Sequence, residues 1–517
     1  MPRCNACLAN RVGNLGPRFF PWLLVCAKPY SSPFAAPHLS RLLCRNSRCH
    51  SLRAMSSYSG PAGHTTHFNI QKHKLPASHI REYPRATTDD QEEVLHLAIK
   101  HYTPISPAGS EKNGVTIIGG HANGFPKELY EPLWDDLYER LQKQGVHINS
   151  IWIADVSHQG DSGVLNEDIL GNDPSWFDHP RDLFLMINHF REHMKRPIIG
   201  IGHSMGGNNL VNLALMHPRL FTTLILIDPV IQRYPSVGGN FGPARASTVR
   251  RDRWPSRQEA ETKAKKSKVF QTWDPRVLQK WMEYGFRELP TPLYPTMQKI
   301  SNPVPPISAD PTTSSIPPDP TTEKELTLKT TKFQEVFTFL RPNFPTQEFP
   351  DPENSPNPQT HPDVPAWTSP KSPFYRPEPL VTFTRLPNLR PSVLYIFGEL
   401  SDLSAPLLRA DRLAQTGIGW GGSGGVGKDR VKEHVFEGVG HLIPMEVVGE
   451  TADVSAGWVG EEIRRWKRTE EEFRREWERV PKGEKAVFSE EFKRQMLGDW
   501  VVIKKKEEEG GEGKSKL

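Results

Sequence analysis

Short apolar runs bounded by turn residues recur along the chain, at Val115–Ile118, Ile151–Ala154, Ile198–Ile201, Leu224–Ile227 and Val393–Phe397. Each is nearly continuous and rich in β-branched residues, the pattern of strands buried on both faces of a parallel sheet. Leu95, Leu97 and Ile99 instead alternate with polar neighbours, which predicts an edge strand. Helical spacing links Leu129, Leu133, Trp134, Leu137 and Leu141, with Gly145 placed to end that helix. It also links Phe184, Ile187 and Met194, and the run L-V-N-L-A-L-M over 210–216. Strand alternating with helix predicts an α/β fold, a mostly parallel central sheet flanked by helices.

The alternation stops after Asp228-Pro229 and resumes near Val393. The interval is dense in proline, but W-D-P-R-V-L-Q-K-W-M-E-Y-G (273–285) and K-F-Q-E-V-F-T-F-L (332–340) are helix-like. It reads as an inserted cap joined by disordered Pro-rich linkers. The expected organisation is a disordered extension (1–65), a core first half (66–230), the cap (231–390), a core second half (391–455), charged helices (456–505) and a flexible tail (506–517). In the charged helices Ile463, Trp466, Phe473 and Trp477 share a face suited to packing on the body.

Composition narrows the function. A formal net charge of +5 over 517 residues makes no case for nucleic-acid binding, and no apolar run is long enough for a membrane span. The five cysteines, Cys4, Cys7, Cys26, Cys44 and Cys49, all precede the folded body, which therefore uses neither disulfides nor a thiol nucleophile. There is no phosphate-binding loop, dinucleotide fingerprint or cluster at metal spacing, so neither cofactor nor metal is expected.

The two ends carry competing addresses. The first 60 residues hold seven arginines and no acid, the composition of a mitochondrial transit peptide, with Met55 as an alternative start to Met1. The chain closes on Ser515-Lys516-Leu517, the tripeptide read by the peroxisomal import receptor, behind a charged, glycine-containing tail. A defined motif outweighs a compositional bias. Peroxisomal matrix is the expected location, with the mitochondrion as the alternative.

The chemistry centres on Gly202-His203-Ser204-Met205-Gly206, a G-x-S-x-G between a predicted strand and a predicted helix, which lifts the serine hydroxyl at the strand's C-terminal end. A serine needs a base, and His441 in G-V-G-H-L-I-P follows another short strand. The base needs an acid: Asp402, just past Val393–Phe397, is the first choice, with Asp228 and Glu399 as alternatives. The oxyanion donors expected are the N–H of Met205 and that of Ala122 or Asn123, in G-G-H-A-N-G-F-P-K-E (119–128); His121 is read as structural or pocket-lining, not as a second base.

The set G-G-H-A-N-G-F-P-K-E-L-Y, D-V-S-H-Q-G-D-S-G, G-H-S-M-G-G, I-D-P-V, F-G-E-L-S-D and G-V-G-H-L-I-P resembles the α/β-hydrolase superfamily. Within it, the chain is similar to fungal peroxisomal lipase-like members and to the hydrolases of host-selective toxin biosynthesis. The resemblance spans roughly 90–230 and 390–450. It implies serine hydrolysis of a small-molecule acyl ester inside the peroxisome, with an acyl-CoA thioester as the alternative substrate. A binding module that has lost its chemistry is the reading from another class, and it predicts a missing triad member. An epoxide hydrolase would need aspartate at position 204.

Overall fold

The computed structural model of the chain describes residues 63–106, 114–234, 240–295, 324–343, 361–364 and 373–499. The cysteines, Met55, the terminal Ser515-Lys516-Leu517 and most of the proline-rich linkers lie outside these residues.

The first half of the core contributes strands β1 (Gly63–His64), β2 (Phe68–Pro76), β3 (His96–Pro104), β4 (Val115–Gly120), β5 (Ile148–Ala154), β6 (Ile198–His203) and β7 (Thr223–Ile227). Helices α1 (Glu131–Lys143), α2 (Gly160–Leu165), α3 (Asp178–His189) and α4 (Met205–Met216) alternate with them. The insert holds α5 (Phe241–Val249), β8 (Arg253–Trp254), α6 (Arg257–Lys266), α7 (Lys268–Gln271), α8 (Pro275–Tyr284), β9 (Phe286–Glu288), β10 (Leu326–Leu328), α9 (Lys332–Phe339), β11 (Arg341–Pro342) and β12 (Phe374–Tyr375). The core then resumes with α10 (Glu378–Arg385), β13 (Ser392–Gly398), α11 (Pro406–Gln415), β14 (Val431–Phe436), α12 (Ile443–Glu446), α13 (Val448–Arg479) and α14 (Glu490–Arg494).

Nine strands form one sheet in the order β1-β2-β3-β5-β4-β6-β7-β13-β14. From β5 to β14 neighbours run parallel, whereas β3 pairs antiparallel with both β2 and β5. Successive side chains enter opposite layers, as the pleat requires. Ile117, Ile151, Ile199, Ile225 and Ile396 join the layer built with α1 and α13. Ile118, Trp152, Ile198, Leu224 and Tyr395 join the layer built with α3, α4 and α10. The α/β architecture with its mostly parallel, helix-flanked sheet is thus as the apolar runs predict.

One strand departs from expectation. β3 is not an edge: β2 covers it over nine paired residues, from Phe68↔Pro104 to Pro76↔His96. Its Lys100 is buried by pairing, not solvated, since Nζ lies 2.9 Å from Glu131 and 3.1 Å from Glu128. The C-terminal helix also differs. α13 is buried against the body through Ile463, but Phe473 and Trp477 are 57 % and 45 % exposed.

Helices of the insert cover the C-terminal edge of the sheet. Trp273 and Trp281 meet Phe125 edge-on at 5.8 and 6.1 Å between ring centres. Helix α9, capped by Thr331, receives a hydrogen bond from Asn123 Nδ2 at the Glu335 carbonyl (3.0 Å) and one from Trp176 Nε1 at the Thr338 carbonyl (2.8 Å).

Candidate active site

Strand β6 delivers Ser204 at its C-terminal end, and α4 begins at the next residue. Ser204 has φ +56° and ψ −118°, a conformation that costs a non-glycine residue about 1–3 kcal/mol and that the surrounding turn must hold. Two glycines make the turn possible. A Cβ on Gly206 would lie 2.2 Å from the Gly120 carbonyl oxygen, and one on Gly202 would lie 2.6 Å from the Gly206 carbonyl oxygen. Strand, turn and the glycine-rich loop after β4 therefore touch backbone to backbone.

His441, on the loop after β14, places Nε2 2.9 Å from Ser204 Oγ and Nδ1 2.6 Å from Asp228 Oδ2. The carboxylate at the imidazole is thus Asp228, and the first-choice acid is corrected. Asp402 is exposed on the turn between β13 and α11, with no described contact to His441. The reason is local packing. After Gly398 the turn sends Leu403 inward, against the cluster of Val156, Trp176, Met205 and Val230, and Asp402 outward. The same turn contributes the Ser401 hydroxyl, which donates to Asp228 Oδ2. Glu399 is also exposed and accepts the Gly438 N–H (2.9 Å). Asp228 directly follows β7 with φ +40°, is fully buried, and donates its N–H to the Ile396 carbonyl (2.7 Å).

Of the expected oxyanion donors, the Ala122 N–H is already committed, donating to the Tyr130 hydroxyl at 2.9 Å. Asn123 and Met205 remain. Met205 is the first residue of α4, where an N–H has no partner within its own helix. The loop is clamped by Gln159, whose Oε1 accepts the Gly124 N–H (2.8 Å) and whose Nε2 donates to Asn123 Oδ1 (2.6 Å). Below it, the buried Lys127 ammonium lies 2.6 Å from Asp155 and 3.1 Å from both Asp161 and Glu128. His121 accepts the Val156 N–H at Nε2 (3.0 Å), so its Nδ1–H donates to the Ala122 carbonyl (2.9 Å), a structural role.

A second link escapes the sequence. Tyr130 Oη lies 3.0 Å from His203 Nδ1, and His203 Nε2 lies 2.9 Å from the His441 carbonyl oxygen. Burial, reinforced by the nearby His441 imidazole, pushes His203 down to about 3, so its ring is neutral. A carbonyl can only accept, so Nε2 carries the proton and Nδ1 accepts from the tyrosine. The residue before the serine thereby ties the loop after β4 to the loop of His441. G-H-S in the motif is the only signal for it, and residue type alone does not reveal the partners.

This fold and this constellation define a class: the chain belongs to the α/β-hydrolase superfamily, and it is an ester-cleaving hydrolase. It is 43 % identical over 432 residues, 82 % of this chain and 94 % of the relative, to a Penicillium roqueforti protein named type I acyl-CoA thioesterase mpaH. It is 27 % identical to the abhydrolase domain-containing protein AFT2-1 of Alternaria alternata, over 52 % of this chain and 84 % of that one. The family model for serine aminopeptidase S33 matches residues 133–283. Among solved structures, the peroxisomal alpha-beta-hydrolase Lpx1 of Saccharomyces cerevisiae superposes with a TM-score of 0.56 at 16 % identity, covering 87 % of this chain and 100 % of that one. Among the described residues no helix is long and apolar enough to cross a membrane.

Proposed function

We propose that this chain hydrolyses the thioester of an acyl-coenzyme A through a Ser204–His441–Asp228 triad and an acyl-enzyme. The carrying observation is the imidazole held 2.9 Å from the serine oxygen and 2.6 Å from a buried carboxylate. Ser204 Oγ attacks the thioester carbonyl carbon while His441 Nε2 takes its proton. Asp228 accepts the Nδ1–H, fixing the tautomer and stabilising the imidazolium. The oxyanion that forms is met by the N–H groups of Met205 and Asn123, each worth about 3 kcal/mol in the transition state. Collapse breaks the C–S bond, and the thiolate takes the proton from His441 to leave as the thiol. Water, deprotonated by His441, then releases the acid from Ser204. Val156, Trp176, Val230 and Leu403 give the acyl group an apolar wall beside the serine.

The choice of a thioester over the carboxylic ester first expected rests on the name of the 43 % identical relative. Ser515-Lys516-Leu517 supports a peroxisomal location, reached through the import receptor.

A fluorophosphonate probe should label the wild type and not Ser204→Ala. A matched panel of acyl-CoA thioesters and oxygen esters should then show preference for the thioesters. An unlabelled wild type would remove the nucleophile, and turnover confined to oxygen esters would return the substrate to that class.

A further inference from the structure

Ser204 stands at the C-terminal edge of the sheet, and the opposite edge carries a cluster that the hydrolytic chemistry does not use. Arg196, Arg219, Arg390 and Arg430 each closely precede a strand, β6, β7, β13 and β14 respectively, and these four strands are neighbours. Together with Arg465 of α13 they line one cavity of about 180 Å³. A strand of six residues spans roughly 20 Å, so a small molecule bound here does not touch the triad.

The charges in this cavity do not balance. Its acids are Glu462 and Glu470. Glu462 is fully buried and is shared: Oε2 accepts from Ser392 Oγ (2.7 Å) and Arg430 (2.8 Å), while Arg465 lies 2.9 Å from Oε1. Glu470 pairs with Arg196, whose guanidinium also lies over the Trp466 ring at 5.6 Å. No carboxylate among the described residues pairs with Arg219 or Arg390. Five guanidinium groups thus face two carboxylates. Burial, with the neighbouring Arg465, holds the pKa of Arg430 below its ordinary value despite Glu462.

We propose that this cavity is a binding site for a phosphate group, remote from the catalytic centre. Guanidinium forks converging from several strand ends suit a multiply charged, tetrahedral oxyanion. Arg390 and Pro218 also line an adjoining hollow of about 340 Å³ beside Trp420, which leaves room for the molecule that carries the phosphate. The proposal stands apart from the identity of the hydrolysed acyl group.

The test uses the full chain and the double variant Arg219→Gln/Arg390→Gln, which removes the two lining cations that have no ion pair among the described residues. Calorimetry with pyrophosphate at constant ionic strength should show saturable binding by the wild type. The double variant should bind at least about tenfold more weakly, as expected for loss of charge-assisted contacts. Its thermal midpoint and its turnover should be unchanged. Flotation with phosphatidylcholine vesicles carrying phosphatidate or phosphatidylserine separates the sources. Pyrophosphate binding without flotation assigns a soluble phosphate, and flotation with phosphatidate alone, lost in the variant, assigns a lipid headgroup. The site is overturned if neither probe binds, if the variant binds as well as the wild type, or if both anionic vesicles are held equally.

Discussion

Two neighbouring strand ends at the edge that carries Ser204 each present an acid, and they behave in opposite ways. β7 and β13 run parallel and in register, with Ile227 opposite Ile396. Asp228 is the next residue after β7, buried, with its carboxylate on the His441 imidazole. Asp402 comes four residues after Gly398 on an exposed turn. A residue that directly succeeds a strand inherits its direction from the sheet. One a few residues along a turn is aimed by that turn's own packing, and here Leu403 takes the inward position. Burying a leucine is worth about 2 kcal/mol, whereas turning a carboxylate into the same apolar cluster would cost desolvation.

The sharpest way to break this comparison is Asp228→Asn. The substitution keeps size and removes the charge that fixes the His441 tautomer, so kcat should fall by about 10⁴-fold with labelling of Ser204 also slowed. A fall of that size in Asp402→Asn instead, with Asp228→Asn active, would invert the assignment.

Next in size is Tyr130→Phe. It leaves the Ala122 N–H and His203 Nδ1 without their shared partner, each a buried polar group costing about 1–3 kcal/mol when unpaired. The thermal midpoint should fall. Because the loops of Asn123 and His441 lose their tie, kcat should drop about tenfold with KM nearly constant, a split that a purely structural tyrosine would not produce. The acid side offers a companion measurement. Burial pushes His101, His179 and His203 down to about 3. The unfolded chain therefore binds protons that the fold refuses, and stability should decline as pH falls from about 6.5 towards 3. The slope is up to about 1.4 kcal/mol per pH unit for each histidine. A flat urea midpoint across that range would show that these rings are not neutral in the fold.

Much of the sheet was legible because its runs feed two apolar layers at once, as Ile117 and Ile118 do. β2 was missed because F-N-I-Q-K-H-K-L-P interleaves lysines and histidine, and without it β3 looks like an edge. Ser204 stands out because glycines bracket it, and His441 because two glycines closely precede it. The acid does not, since its choice turns on a φ of +40° at Asp228 and on the packing of Leu403. The Tyr130–His203 link joins residues 73 positions apart, and neither carries a local pattern that names the other. Of the insert's helices, α8 and α9 were readable from periodicity and α5, α6 and α7 were not, whereas the hydrogen bonds from Asn123 and Trp176 onto α9 depend on how they dock.

The two smallest effects lie within the turn after β13, and their ratio is the finest test of the comparison. Ser401 reaches Asp228 with its hydroxyl, so Ser401→Ala removes one donor from a carboxylate that keeps His441. A hydrogen bond to a charged group is worth about 1.5–3 kcal/mol, and water that enters in place of the hydroxyl recovers part of it, so kcat should fall about threefold to tenfold. Asp402, one residue on, is exposed and touches no member of the site. Its charge acts on His441 only through solvent, where salt screens it within about 10 Å at 0.1 M. Asp402→Asn should therefore change kcat/KM by less than about twofold, a difference that vanishes on raising the salt, and stability by no more than about 0.5 kcal/mol. A loss at Asp402 that exceeds the loss at Ser401 and persists in high salt would mean that this turn swings inward when substrate binds, giving the imidazole a second carboxylate.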